Sequence, residues 1–308
     1  MGLIQYGVTF PAGAQAHHEL GHYTRRVEAL GLDSIWLIEN VGSATPGLEC
    51  LSTLGFMAAC STRLKIGTSV LLLPLRNPVL TAQAVSTLDV LSGGRVILGV
   101  GAGDPSSHTA VGADPHTRGR RCEEALTLLR MLWTESDVTY EGAFYRVQRH
   151  TLGPRPIQSP HPPIWLGGHT DAAFRRAARH ADGFIPVGAA PEQCRAVFEK
   201  VERHARELGR DPPTRAVHAY LCLAESGSKA AEMGAQTLTH RYQRRANIDD
   251  REPHFIGTPG DIRRTLEAFL ETGVTHFVFD PVCPLEQVPA QLTRLATEVL
   301  GLRSGGER

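Results

Sequence analysis

Two glycine-rich segments are the part of this sequence best suited to hold a cofactor. Residues 99–103 read Gly-Val-Gly-Ala-Gly, and residues 167–170 read Gly-Gly-His-Thr. Glycine weakens a strand, so it is expected there where the backbone must approach another group closely. The second segment leads into a predicted helix, whose free N–H groups favour an anion, and Thr170 can cap that helix or donate to a phosphate oxygen. Together the two segments leave room for a flat cofactor with a phosphate tail. Taken alone, 167–170 also fits a tight turn with an ordinary threonine cap.

Three side chains are candidates for acid–base or substrate-orienting work. Glu39 and Asn40 follow an apolar run at the end of a predicted strand, and His108 lies in a polar segment that can reach over the same region. A carboxylate or imidazole in such a place can move a proton. Pairing of Glu39 with a nearby arginine, or simple solvation of any of the three, is the alternative interpretation.

Composition and missing motifs exclude several function classes. Lys+Arg and Asp+Glu number 32 each, so no dominating basic field points to nucleic acid. No metal-ligand spacing, P-loop or G-x-S-x-G elbow occurs, and we predict no metal. The six cysteines form no CxxC pair, and no apolar run has the roughly 18 residues of a membrane span. We therefore expect a cytoplasmic protein with reduced thiols and no membrane partner.

The elements that must position these residues alternate between strands and helices. Eight short apolar runs are predicted strands, at 4–10, 34–38, 64–73, 96–100, 163–166, 183–187, 216–223 and 274–279. Amphipathic patterns follow them, which predicts a (β/α)₈ TIM barrel in a single domain over 1–303, with a flexible tail at 304–308. An open doubly wound sheet is the competing fold, but the glycine fingerprint typical of it is missing after strand one.

Helix boundaries and insertions are also predicted. Thr45-Pro46 and Asn77-Pro78 each place a cap residue before a proline, which predicts helix starts there. The polar stretches 104–119 and 226–256 are expected to be irregular insertions after strands four and seven. In a barrel of this kind the candidate residues, which follow strand ends, meet at the C-terminal face.

Motifs along nearly the whole chain resemble the bacterial luciferase-like flavin monooxygenase superfamily, most closely its branch that uses the deazaflavin F420. The matching segments are 31–36, 62–78, 87–95, 99–103, 116–121, 162–168, 181–183, 257–259 and 273–275. The resemblance implies a barrel with an isoalloxazine-type ring at the strand C-termini and a homodimer formed through early helices. It implies a non-proline cis peptide at Ser69–Val70 beneath the ring.

The resemblance also assigns the remaining cofactor residues. Gly101 and Ala102 match the family's residues that form the wall beside the ring. Gly167, Gly168, His169 and Thr170 match the region that holds the ribityl-phosphate tail. Many F420 members carry an Asp-His pair where this chain has Glu39-Asn40, so the usual acid–base assignment does not transfer. Residues 104–107 also differ from many relatives, which have an aromatic and acidic segment at this place.

Three functions follow as hypotheses. The first is an F420-dependent oxidoreductase that transfers a hydride between C5 of the deazaflavin and a C=C, C=N or C=O bond. The second is a monooxygenase that uses reduced FMN and oxygen on the same fold. The third is a non-enzymatic barrel that binds a flavin or no ligand.

Overall fold

The computed structural model describes residues 3–11, 14–41, 47–242 and 254–302. At 14–16 and 242 it describes the backbone only. The predicted tail at 304–308 lies outside these residues. The strands, in chain order, are β1 Gln5–Thr9, β2 Ser34–Leu37, β3 Lys65–Thr68, β4 Leu71–Leu72, β5 Val96–Gly101, β6 Val138–Glu141, β7 Arg146–His150, β8 Ile164–Leu166, β9 Gly183–Phe184, β10 Thr214–Leu223, β11 Phe255–Gly257 and β12 His276–Pro281.

Eight parallel strand positions close into a barrel, with the third position split into β3 and β4. The order of neighbours is β12, β1, β2, β3/β4, β5, β8, β9 and β10, and β10 pairs with β12. Val8 of β1 pairs with Ile35 on one side and Phe279 on the other, and Thr214 pairs with Gly183 between β10 and β9. The predicted (β/α)₈ barrel is therefore confirmed.

The strands form because their side chains are buried on both faces, which explains the nearly continuous apolar runs. A separate cluster of buried residues comprises Trp36, Ile97, Trp165, Ile185, Ala216 and Val278. The two indoles lie with ring centroids 5.2 Å apart. Gly67 leaves room for Trp36, because a Cβ built at that position would lie 2.4 Å from the indole ring. Close packing of large side chains thus gives the scaffold a rigid base.

The α-helices that surround the barrel are α1 Leu20–Ala29, α2 Cys50–Cys60, α3 Pro78–Ser92, α4 Pro105–Ala110, α5 Arg118–Thr134, α6 Asp171–His180, α7 Pro191–Glu207, α8 Gly227–Tyr242, α9 Pro259–Leu270 and α10 Val288–Arg294. Asn77 caps α3 as predicted, because its side chain accepts hydrogen bonds from the N–H groups of Val79 and Leu80. A π-helical turn, Leu295–Val299, continues α10.

The predicted start of the second helix is wrong. Residues 47–49 are not helical, and α2 begins at Cys50 with Glu49 as its cap. The Glu49 carboxylate accepts hydrogen bonds from the N–H groups of Leu51 and Ser52, at 3.2 and 2.8 Å. This carboxylate satisfies two free donors of the first turn and so sets the boundary. Thr45 and Pro46 themselves lie outside the described residues.

The two insertions are more regular than predicted. Within 104–119 lie α4 and a 3-10 turn, Pro115–Thr117, and the small hairpin β6–β7 follows α5. Within 226–256, α8 replaces the expected irregular chain and β11 adds to the edge of β10, while 243–253 lie outside the described residues. Ala230, Gly234, Leu238 and Arg241 form the buried stripe of α8. The helical period is weak in the sequence, because half of this stripe is made of small residues.

Candidate active site

The Ser69–Val70 bulge separates β3 from β4 and marks the floor of the candidate site. Its peptide bond is cis, as the family resemblance implied. Ser69 is buried and Val70 is half-buried. The backbone carbonyl of Val70 accepts a hydrogen bond from the Glu39 N–H at 3.3 Å, which ties the bulge to the end of β2.

The two glycine segments meet at the side chain of Val70. A Cβ on Gly101 would lie 2.5 Å from Val70 Cγ2, and one on Gly167 would lie 3.8 Å from Val70 Cγ1 and 3.1 Å from the Ile185 carbonyl oxygen. Side chains at these positions would displace Val70 or narrow the space around it. The structure therefore brings together Val70, Gly101 and Gly167, which the sequence placed on three different strands.

The start of α6 offers unused hydrogen-bond donors beside these glycines. Thr170 is the cap residue, and its side-chain oxygen accepts from the Ala173 N–H at 3.2 Å. Among the described residues, the backbone N–H groups of 168–172 have no acceptor. Gly168 has a φ of 143° and His169 and Thr170 are exposed. Free donors at the positive end of a helix suit a phosphate, so this segment fits the anionic tail of a flavin-type cofactor.

His108 lies on α4 and is fully buried, not held in an open loop. Its Nε2 lies 2.8 Å from the carbonyl oxygen of Ala102, in the glycine-rich wall. Because a carbonyl only accepts, Nε2 carries a proton. Nδ1 has no hydrogen-bond partner among the described residues. His108 therefore braces Ala102.

Glu39 is already engaged by two groups of the protein. Its carboxylate accepts from the Leu72 N–H at 2.6 Å and forms an ion pair with Arg76. Arg76 also contacts Glu49 at 2.6 Å. Burial alone would lower the pKa of Arg76, but hydrogen bonding to Glu39 and Glu49 outweighs it and raises the pKa. Glu39 thus fixes the chain after the bulge, and its catalytic role stays a prediction.

Asn40 points into a different part of the site. It lines a small cleft with six other residues, namely Phe10, Pro11, Leu37, Ile38, Gly47 and Leu48. The Asn40 amide can donate or accept a hydrogen bond there. Glu39 and Asn40, although adjacent in sequence, therefore have separate surroundings.

A chain of buried polar groups was missed by the sequence analysis. It contains Thr9, Ser69, His218, Asp280 and Arg241, from three barrel strands, the bulge and α8. The available signal was a single polar residue inside an otherwise apolar strand, as at His218 and Asp280. Only the barrel closure shows that these residues meet.

The described residues hold no group of three or more His, Cys, Asp or Glu side chains arranged to bind a metal. All six cysteines are free thiols. No helix within the described ranges has the length and apolar character needed to cross a membrane.

The profile of the luciferase-like monooxygenase family matches residues 3–297. The chain belongs to this family. A curated relative is the F420-dependent glucose-6-phosphate dehydrogenase of Kineococcus radiotolerans, which is 29% identical over 334 residues and covers 97% of each chain. The enzyme of the same name from Intrasporangium calvum is 30% identical over 293 residues, covering 88% of this chain and 84% of its own.

Solved structures of luciferase-like proteins share the fold. A monooxygenase from Streptomyces bottropensis superimposes with a TM-score of 0.83 at 23% identity, covering 97% of this chain and 99% of its own. An F420-dependent secondary alcohol dehydrogenase, solved with an F420-acetone adduct, gives a TM-score of 0.83 at 22% identity, covering 98% and 100%. At these identities the two structures support the barrel and not a particular reaction.

Proposed function

We propose that this luciferase-like protein is an F420-dependent oxidoreductase that transfers a hydride between the deazaflavin and a C=C, C=N or C=O bond of a small organic substrate. The observation that carries the proposal is the site at Val70, where Gly101 and Gly167 let two neighbouring strand ends pack closely on the bulge. The backbone N–H groups of 168–172, which have no acceptor among the described residues, follow directly in the chain. Curated relatives that match nearly the whole chain bear F420-dependent names.

The residues present fit the cofactor in two groups. Ser69, Val70, Gly101 and Ala102 would lie against the ring system. Gly167, Gly168, His169 and Thr170 would hold the phosphate by backbone N–H groups and the threonine hydroxyl. When bound, F420 gives or accepts a hydride at C5 and acts as an obligate two-electron carrier. The protein then has to align donor and acceptor and exclude water.

Unpaired arginines near the phosphate segment favour F420 over FMN. Five guanidinium groups, at the start of α5 and in the middle of α6, have no ion-pair partner among the described residues: Arg118, Arg120, Arg121, Arg175 and Arg176. Two of them, Arg120 and Arg121, lie over the ring of Phe144. Cations at the N-terminal end of a helix, as on α5, oppose the helix dipole. Further along the same helices, Arg130 and Arg179 do pair with Asp182 and Glu123. The unpaired group would stabilise the polyanionic lactyl-glutamyl tail of F420, which FMN lacks.

The protein's own candidates for proton handling are His108 and Glu39, with Asn40 as a residue that orients the substrate. In the neutral ring of His108, Nδ1 can accept a proton, whereas the Asn40 amide can only orient a substrate group. Glu39 would act on substrate only after releasing part of its contact with Arg76.

We also propose that the protein forms a homodimer through α2 and α3. Phe56, Leu80 and Leu91 on these helices are 53%, 65% and 75% exposed. Leu80 and Leu91 lie three helical turns apart, on one stripe of α3. Large apolar side chains exposed on neighbouring helices are typical of a protein contact.

The deciding experiment is a fluorescence-quenching titration of purified protein with F420 and, in parallel, with FMN. Micromolar binding of F420 with FMN ignored is the expected result. Tight FMN binding without F420 binding would overturn the cofactor assignment in favour of oxygen-dependent chemistry. Failure to bind either one would leave the non-enzymatic barrel.

A further inference from the structure

The buried polar chain beneath the candidate site is continuous from the bulge to α8. Ser69 Oγ lies 2.8 Å from His218 Nδ1, and His218 Nε2 lies 3.7 Å from Asp280 Oδ2. Asp280 accepts from Thr9 Oγ1 at 2.8 Å and from Arg241 Nη1 at 2.7 Å. Exposure of each of the five residues is 8% or less. Polar groups buried to this degree are costly unless each is paired, so their arrangement needs an explanation.

Asp280 is a carboxylate at neutral pH. Burial would raise the pKa of its carboxyl group, but the charge of Arg241 and the contact with His218 outweigh burial and hold the pKa well below its usual range. The 3.7 Å separation from His218 is too long for a hydrogen bond, so this contact is electrostatic. Nε2 of the imidazole therefore faces the negative charge of the Asp280 carboxylate at Oδ2, the same oxygen that accepts from Arg241.

This charge decides which ring nitrogen carries the proton. With the proton on Nε2, an N–H dipole points toward the carboxylate, which is favourable; with the proton on Nδ1, a lone pair faces the carboxylate, which is repulsive. Nε2 has no hydrogen-bond partner among the described residues that would reverse this preference. Nδ1 is then an acceptor, and the Ser69 hydroxyl must donate to it.

We propose that His218 is a positioning residue for the cofactor floor: Asp280 places its proton on Nε2, and Nδ1 then holds the Ser69 hydroxyl and with it the Ser69–Val70 bulge. Val70 is the residue between the two glycine segments. The imidazole thus connects β10 to the bulge after β3, a link that the sheet hydrogen bonds do not make. The functional consequence rests on the proposed F420 site, whereas the tautomer is a property of the protein alone.

The tautomer is tested first, on wild-type protein without cofactor. Long-range ¹H–¹⁵N correlation spectra of ¹⁵N-histidine-labelled protein distinguish the Nε2–H, Nδ1–H and doubly protonated rings, with His218→Gln used to assign the signal. The expected result is the Nε2–H form at pH 7. Either of the other two forms would overturn the proposal, whatever the cofactor titration gives.

Two variants of the same residue test the consequence. In His218→Asn the amide oxygen can lie where Nδ1 lies and still accept from Ser69, whereas in His218→Gln the amide reaches the Nε2 position instead. We expect His218→Asn to keep the F420 dissociation constant within about twofold of wild type. We expect His218→Gln, like Ser69→Ala, to weaken it by about fivefold to tenfold, the effect of one lost hydrogen bond.

The control is His161→Gln, which removes a buried histidine that packs on Trp133 instead of on the bulge. Thermal unfolding of all four variants separates a general loss of stability from a local one. Equal weakening by His218→Asn and His218→Gln at equal melting temperatures would contradict the positioning role. If wild-type protein binds no F420, the proposed function fails while the tautomer result stands.

Discussion

Val70 occupies the space that a side chain on Gly101 would need, because a Cβ at position 101 would lie only 2.5 Å from Val70 Cγ2. The cofactor floor and the glycine-rich wall are therefore fitted to each other. The shape of the bulge alone therefore requires a glycine at position 101.

This fit predicts the effect of Gly101→Ala. The added methyl group must push Val70 out of place, so we expect F420 to bind at least about tenfold more weakly and unfolding to cost about 1–3 kcal/mol less. The measurement is the same quenching titration with a melting curve. Gly227→Ala is the control, because nothing lies within 4 Å of a Cβ there. Equal affinity in both variants would show that Val70 can move freely.

The ion pair between Glu39 and Arg76 predicts a coupled loss of stability. Glu39→Gln and Arg76→Met should each lower the free energy of unfolding by about 1–3 kcal/mol. The double variant should lower it by less than the sum, because both variants break the same Glu39–Arg76 ion pair, while Arg76→Met also loses the contact with Glu49. Denaturant unfolding measures this. We expect Glu39→Gln to lower turnover more than Arg76→Met while F420 affinity is unchanged. Equal turnover in the two variants would leave Glu39 a purely structural role.

The arginines without an ion-pair partner predict that the affinity for F420 depends on its anionic tail. Arg118→Gln combined with Arg176→Gln should weaken F420 binding by about tenfold and reduce its salt dependence, because the tail loses two cationic partners. Arg179→Gln is the matched control, since that side chain already pairs with Glu123 on α5. F420 with its glutamates removed should bind wild type and the double variant alike. Equal losses for the long and short cofactors would argue against a tail site.

Buried His276 predicts a decline of stability in mild acid. Burial lowers the pKa of its imidazole to about 4, and the ring packs edge-on against Trp165. The unfolded chain takes up a proton near pH 6.5 and the folded protein does not, so stability falls as the pH drops from about 6.5 to 4, by up to about 3 kcal/mol. The pKa of His180 is lowered similarly.

Urea unfolding at pH 7 and pH 5 measures this dependence. His276→Gln should reduce the pH dependence and leave the part that His180 contributes. An unchanged dependence in His276→Gln would assign the effect to other groups.

The exposed face of α2 and α3 predicts a dimer that single charges disrupt. Leu80→Glu should produce a monomer in sedimentation velocity at micromolar concentration, because an unpaired carboxylate would be buried in the contact. Leu208→Glu, at a leucine that is 52% exposed at the end of α7, should stay dimeric. A monomeric wild-type protein would contradict the proposed contact directly.

The sequence by itself determined the alternation of strands and helices, because apolar periodicity and cap residues such as Asn77 act locally. It also identified both glycine segments and, by resemblance, the cis bond at Ser69–Val70. These features depend on near neighbours in the chain or on motifs that keep their spacing.

Only the tertiary structure decided which side chains meet. Glu39 pairs with Arg76, 37 residues away, and His218 meets Ser69 across 149 residues. Such pairs depend on barrel closure and on the register of parallel strands, and no local pattern encodes them. The helix α8 is not predicted for the same reason. Half of its buried stripe consists of small residues, and these are recognised as a core face only once the helix is seen to pack against the barrel strands.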